Sequence, residues 1–361
     1  MKKTHTKKTR NDAREVRAQV SPPLDRRRFL LGAAGAGALG LAGAVGPARV
    51  AAAAQPAAPA APARAPQPTP PPNGQAPQLT EVAGRTAYIT GGNTGIGLGI
   101  ARALANAGMN VVMGYIQEDQ VAPALKLFKP GQKVTAIRHD VTDRDGWVKT
   151  LAEINAKFGN LHLLVNNAGI KTLRQASQVD AKGWDAAVAV NFTGIYNGCA
   201  VVIPHMLAHK EGAHIVTTSS MGGVLPGVNA GVYTCTKFAS LGLMEALRIE
   251  LMATNIGTSA YTPGGVSTDN LGSAEGTAAL MMDPIEAGER VLNGVKNNDL
   301  FILTHPEFKP GMKERFDAIL ASVPNEPFPE ARAKAEARVL TAPPYAPEIV
   351  HRSQPRKSYR G

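Results

Sequence analysis

The chain has 361 residues, 44% of them hydrophobic and 19% charged, enough apolar material for one large or two ordinary domains. Its net charge of +11 invites a nucleic-acid role, yet ten Lys/Arg against three Asp/Glu fall in residues 1–28, which leaves only +4 for the rest of the chain. With aromatic residues at 5%, that distribution argues against a polyanion-binding face, whose charge belongs on the folded surface between stacking rings.

The leader comes first. Arg26-Arg27-Arg28-Phe29-Leu30 opens a run from Phe29 to Val45 without charge, rich in Gly and Ala, and followed by small residues at Ala51 to Ala54. The run is too short and too weakly apolar for a membrane span, and has the dimensions of a signal-peptide core. Two arginines, any residue, then Phe-Leu resembles a twin-arginine export signal, which implies the twin-arginine translocation machinery as a partner and a periplasmic or exported protein. Residues 1–54 are therefore read as a signal. Residues 55–80, "QPAAPAAPARAPQPTPPPNGQAPQLT", are read as a solvated linker that adds nothing to the core, because frequent prolines remove amide donors and hold the chain extended.

From about residue 81 to 325, short apolar runs alternate with longer amphipathic stretches, the rhythm of βαβ units. Strands are expected at Thr86–Thr90, Met109–Gly114, Lys133–Arg138, Leu161–Val165, Ala213–Thr218, Ile256–Tyr261 and Leu300–Leu303, with helices between them. The expected fold is a single α/β domain, a doubly wound Rossmann-type parallel sheet of seven strands. Residues 326–361 read as a short charged helix and a basic frayed tail. Cys199 and Cys235 are too few for a disulfide framework or zinc site and read as small core residues.

The turn after the first strand, "TGGNTGIGLGIARALANAG", places glycines 91, 95 and 97 where a pyrophosphate needs close backbone approach and a helix amino end. Thr90-Gly91-x-x-x-Gly95-x-Gly97 resembles the glycine motif of the short-chain dehydrogenase/reductase family, and other landmarks of that family follow in order. They are Asp140-Val141, Asn166-Asn167-Ala168-Gly169, Asn191, Ser220, Tyr233-x-x-x-Lys237 and Pro263-Gly264-x-Val266-x-Thr268. The resemblance spans about residues 82 to 305. It implies an NAD(P)-dependent oxidoreductase interconverting a secondary alcohol and a carbonyl compound, with Asn191, Ser220, Tyr233 and Lys237 catalytic. It further implies that Thr90, Gly91, Asn93, Thr94, Gly95, Ile96, Gly97, Tyr115, Asp140, Val141, Asn167, Ala168, Gly169, Tyr233, Lys237, Pro263, Gly264, Val266 and Thr268 bind the cofactor, with Asp140 at the adenine ring. Homodimers or homotetramers are the implied assemblies.

The chemistry is consistent with those types. Tyr233 and Lys237 lie four apart in a helical pattern and share a face. An ammonium beside a phenol favours the phenolate and brings it toward working range, so Lys237 is expected to tune Tyr233. By the resemblance Lys237 also holds the nicotinamide ribose. Ser220 would orient the substrate oxygen, and Asn191 would stabilise a helix distortion and a proton-relaying water. At the end of the second strand, "NVVMGYIQEDQ" offers Tyr115 where an acid would select NAD, and no carboxylate to repel a 2′-phosphate, which leans the reading to NADP unless Glu118 or Asp119 takes that place. His205, His209 and His214 lack an acidic partner for metal binding and read as solvated. In "VSTDNLGSAEGTAALMMD", where the family carries a substrate lid, Leu271, Leu280, Met281 and Met282 offer an apolar wall for an apolar alcohol or ketone, or pack in the core. Two other functions stay open, a non-catalytic dinucleotide-binding sensor or scaffold and a sugar-nucleotide epimerase or dehydratase.

Overall fold

The computed structural model describes residues 74–268, 281–327, 329–332, 334 and 344–353. The strands are β1 (Thr86–Ile89), β2 (Asn110–Tyr115), β3 (Val134–Arg138), β4 (Leu161–Asn166), β5 (Ala213–Thr218), β6 (Ile256–Thr262) and β7 (Phe301–Leu303). The helices are α1 (Gly95–Asn106), α2 (Val121–Leu125), α3 (Arg144–Phe158), α4 (Ala181–Val188), α5 (Gly194–His209), α6 (Gly231–Leu251), α7 (Pro284–Asn297), α8 (Lys309–Ala321) and α9 (Tyr345–Ser353). The seven strands pair in the order β3-β2-β1-β4-β5-β6-β7, every pair parallel. The sequence places each strand to within a residue at either end, because each is a short apolar run bounded by turn residues.

Parallel strands are covered on both faces, so their residues are buried without alternation. β1, β4, β5 and β6 are buried along their whole length. One core layer joins the sheet to α1 and α7 through Ile100, Leu104, Val291 and Val295. The other joins it to α3, α5 and α6 through Trp147, Met206, Met244 and Leu247. α1 and α7 cross closely because the contact is glycine: a Cβ on Gly99 would stand 2.0 Å from the Pro284 carbonyl oxygen, and one on Gly288 would stand 2.5 Å from that of Gly99. The strand order reverses between β1 and β4. At such a switch point the carboxyl ends of the strands open into a crevice, and that crevice holds the site.

Several expectations are corrected. The end of the segment read as solvated linker is built into the body: Leu79 is buried in the α1 layer, and Gln75 Nε2 lies 3.0–3.2 Å from the carbonyl oxygens of Leu251, Thr254 and Ile256. Nor is the tail frayed along its whole length. α9 returns to β7, where Glu348 accepts from Leu300 N at 3.1 Å and Arg352 donates to both Glu348 and the Phe301 carbonyl. Arg248 joins the two ends, donating to Gln75 Oε1 and, at 3.0 Å, to the Asn298 carbonyl, and its burial lowers its pKa to about 10. Gln75→Leu removes the amide from the carbonyls of Thr254 and Ile256 and from that of Leu251, which keeps Thr254 as donor, and is expected to cost about 1–3 kcal/mol, read as a lower midpoint in urea; an unchanged midpoint would show that the segment is not docked.

Of the histidines read as solvated, His214 is wholly buried with Nε2 2.8 Å from Ser259 Oγ. His205 accepts from Leu161 N and His209 lies 3.2 Å from the Leu161 carbonyl oxygen, both at the amino end of β4 and away from the crevice. Cys199 is buried as expected, whereas Cys235 is exposed on α6.

Candidate active site

The crevice has a volume of about 550 Å³ and is walled by the loop after β1, the turn after β4, the end of β5, one face of α6 and the segment after β6. Of the residues expected to serve chemistry or the cofactor, Gly91, Thr94, Gly95, Ile96, Asn167, Ala168, Gly169, Ser220, Tyr233, Lys237, Pro263, Gly264, Val266 and Thr268 line it.

The loop after β1 fits a bound dinucleotide. Gly91 and Gly95 have φ of +60° and +51°, the left-handed region that glycine enters without strain. A Cβ on Gly97 would stand 2.1 Å from the Gly91 carbonyl oxygen and 2.5 Å from Asn167 Nδ2. Thr94, at the N-cap of α1, makes no side-chain capping bond, and no acid occupies the first turn. The positive helix end and its first N–H groups are thus left for an anion from outside the chain.

The remaining expected residues stand behind the wall. Thr90 is buried, and its Oγ1 accepts from the backbone N–H of Asn167 at 2.9 Å and of Ala168 at 3.0 Å. It braces the turn after β4 against the loop after β1. Asn167 Nδ2 returns the tie by donating to the Thr90 and Gly91 carbonyls. Asn93 donates to Gln120, and Val141 packs in the α3 layer while its carbonyl accepts from Trp147 Nε1. Asp140 accepts from Thr142 and borders a neighbouring cavity with Ile116 and Arg138. Tyr115 ends β2 with its hydroxyl donating to Glu118 at 2.6 Å.

Asn191 is fully buried at a π-helical turn, Ala189–Thr193, between α4 and α5. Its side chain accepts from Ile170 N at 2.8 Å and donates to the Ile170 carbonyl at 2.9 Å and to Thr236 Oγ1 at 3.2 Å. The π turn thereby holds the chain just beyond Gly169.

Tyr233 and Lys237 project from adjacent turns of α6, as their spacing requires. Lys237 Nζ donates to the Thr218 carbonyl at 2.8 Å and lies 5.6 Å from the Tyr233 ring centroid. Burial, and then the neighbouring Lys171, lower its pKa to about 8. Burial pushes the Tyr233 phenol above its ordinary value, and a hydrogen bond with Ser220 pulls it back. In the cofactor-free crevice the lowering influence on the phenol is thus Ser220, where the sequence pointed to Lys237. Ser220 is held by its own Oγ accepting from Gly222 N at 3.1 Å and by the bond from Met221 N to the Pro263 carbonyl.

The sequence reading did not single out Lys171, Leu173 or Ile170, which also line the crevice. The one available signal was their position directly after Gly169. Of the apolar wall, Met281 lines the crevice and Met282 packs against the core, paired with Val266. Leu271 and Leu280 lie outside the described residues.

The chain is similar to known proteins. The short chain dehydrogenase family profile matches residues 85–278. A C alpha-dehydrogenase of Sphingobium sp. (strain NBRC 103272 / SYK-6) is 32% identical over 281 residues, which is 70% of this chain and 92% of that one. The apo structure of LigD from Sphingobium sp. strain SYK-6 superimposes with a TM-score of 0.62 at 31% identity, covering 68% of this chain and 99% of that one. A short chain dehydrogenase/reductase from Burkholderia phymatum, solved in complex with NAD, gives a TM-score of 0.62 at 26% identity over 70% of this chain and all of that one. With its parallel sheet opening at the switch point onto a glycine cradle and a Tyr–Lys pair, and with a profile match over residues 85–278 and 32% identity over 92% of a curated relative, the chain is a member of the short-chain dehydrogenase family, an NAD(P)-dependent oxidoreductase acting on CH–OH groups.

Proposed function

We propose that the enzyme interconverts a secondary alcohol and a ketone, with Tyr233 as the acid/base that touches the substrate oxygen. The observation that carries this is the convergence of the Tyr233 phenol, the Ser220 hydroxyl and the Lys237 ammonium on one crevice beside the uncapped end of α1. Ser220 and Tyr233 line the same crevice, and Ser220 acts on the Tyr233 phenol, so both can present polar atoms to one substrate oxygen. Tyr233 then takes the alcohol proton or returns it to a carbonyl oxygen. Lys237 hands the proton on toward water and steadies the phenolate by its charge. When bound, the nicotinamide accepts or supplies the hydride. Ile96, Ile170, Leu173, Val266 and Met281 give the crevice an apolar wall suited to the body of an apolar substrate.

For the cofactor we favour NAD over the NADP to which the sequence leaned. Tyr115 tethers the Glu118 carboxylate at the end of β2, where a carboxylate accepts from a ribose 2′-hydroxyl and repels a 2′-phosphate. Self-association in pairs or fours is supported by the exposed Trp184, Tyr196 and Leu207 along α4 and α5, and light scattering reads it. Export of the folded protein is supported by the order of Arg26-Arg27, apolar run and small residues, and fractionation of cells expressing the full chain reads it.

The test of the reaction is a panel of secondary alcohols and ketones assayed with NAD(H) and NADP(H), with Tyr233→Phe as the blank. Turnover by the wild type alone supports the reading, equal turnover by the variant refutes it, and the ratio of kcat/KM between cofactors decides NAD against NADP.

Lys237 also sets a pH-dependent expectation for the cofactor-free protein. Its ammonium titrates near 8 in the fold and at 10.5 ordinarily, so between those values the unfolded chain binds more protons and stability rises with pH. Below pH 8 the charged, buried amine weighs against the fold. Lys237→Met is therefore expected to raise the melting temperature at pH 7, with the gain shrinking toward pH 10. A gain that is the same at both pH values would show that the amine's charge is not the cause.

A further inference from the structure

Beyond the Tyr–Lys pair, the crevice contains a second cation that the reaction does not require. Lys171 is exposed, on the wall formed by the segment after Gly169, in the crevice that Ser220 and Tyr233 also line. Among the described residues, no aspartate or glutamate lines this crevice and no hydrogen bond or ion pair engages Lys171. Lys171 and Lys237 therefore share one cleft, and the Lys171 charge reaches the Lys237 amine. Two like charges at one cleft raise the local positive potential and favour a ligand that carries an anion.

The backbone that carries this side chain is held on both sides. Asn191 clamps the residue before it by both backbone groups, at 2.8 and 2.9 Å. A few residues on, Gly231 N donates to the Arg174 carbonyl at 2.9 Å, and the same segment packs so tightly against α6 that a Cβ on Gly231 would stand 2.3 Å from Ala176 N. With the segment pinned at both ends, its conformation is set by two buried elements and Lys171 projects from a fixed stem.

We propose that the substrate is a hydroxy acid or keto acid, whose carboxylate pairs with Lys171 while its carbinol or carbonyl oxygen meets Ser220 and Tyr233 and its apolar middle lies along Leu173 and Met281. This rests on the alcohol–carbonyl reading of the crevice and names its substrate class. The carboxylate is unchanged by the reaction. Its work is to bind, to orient the oxygen, and to supply the negative charge that the two amines lack.

The test compares 4-acetylbenzoate, its methyl ester and 4-acetylbenzamide as ketone substrates, with NADH and NADPH, for wild type, Lys171→Met and Lys171→Arg. The wild type should favour the acid over the ester by roughly tenfold in kcat/KM. Lys171→Met should erase that preference mainly through KM, and Lys171→Arg should keep most of it. An acid-to-ester ratio that is the same in wild type and Lys171→Met overturns the proposal. So does a Lys171→Met variant that loses NADH or NADPH affinity in a fluorescence titration, since the amine would then serve the cofactor. Turnover of the ester without preference for the acid sinks this inference alone, whereas turnover of no ketone sinks the underlying reading. In that last case, titration of 4-acetylbenzoate into the enzyme–NADH complex still decides whether Lys171 binds the carboxylate.

Discussion

Tyr233→Phe is expected to lower kcat/KM for carbonyl reduction by roughly 10²–10⁴-fold, the usual range for loss of a positioned proton donor, while nucleotide affinity stays within about twofold. The substitution removes one oxygen from a ring whose position is set by the packing of α6, so the crevice keeps its shape. It also removes the hydroxyl on which Ser220 acts, so the variant loses both the proton and part of the orientation of the substrate oxygen. Steady-state kinetics together with a fluorescence titration of NADH separate these effects from a collapse of the cofactor site. A variant that keeps kcat/KM within about threefold would remove Tyr233 from the chemistry.

Gly97→Ala is the second large effect, and it acts on the nucleotide. The new methyl would stand 2.1 Å from the Gly91 carbonyl oxygen and 2.5 Å from Asn167 Nδ2. Neither neighbour can retreat cheaply. Asn167 Nδ2 is donating to the Thr90 and Gly91 carbonyls, and Thr90 Oγ1 is receiving the N–H groups of Asn167 and Ala168. The loop after β1 and the turn after β4 form one interlocked unit, and spreading it displaces the amino end of α1 from where an anion would meet it. The expected result is a loss of about 1–3 kcal/mol in stability with NADH affinity weakened by at least about tenfold, measured by thermal scanning and calorimetric titration. Unchanged affinity would mean that the glycine cradle is not where the pyrophosphate sits.

How far the sequence alone reaches is clear from particular residues. β1 to β7 were legible because each strand is a short apolar run, and the glycine loop was legible because its spacing only makes sense between a strand and a helix. His214 was misread as solvated because a histidine in a six-residue strand carries no sign of which faces are covered, and in a parallel sheet both are. Gln75 was misread because a proline- and alanine-rich composition masks the one amide that fills a socket of three carbonyls. Lys171 went unnoticed for a different reason: its placement depends on Asn191, which is near it only through the fold. Spacing along a helix gives Tyr233 and Lys237 a shared face but not their burial, which raises the phenol and lowers the amine.

The joint at Gln75 has a practical consequence. That side chain plugs in beside Ile256, where β6 begins, whereas Tyr233, Ser220 and the glycine cradle gather where the strands finish. Attachment point and catalytic mouth are thus at opposite poles of the sheet. An enzyme immobilised on a resin or sensor chip through its amino-terminal side would present its mouth to the flowing solution, and an assay built that way should show no loss of access for nucleotide or substrate.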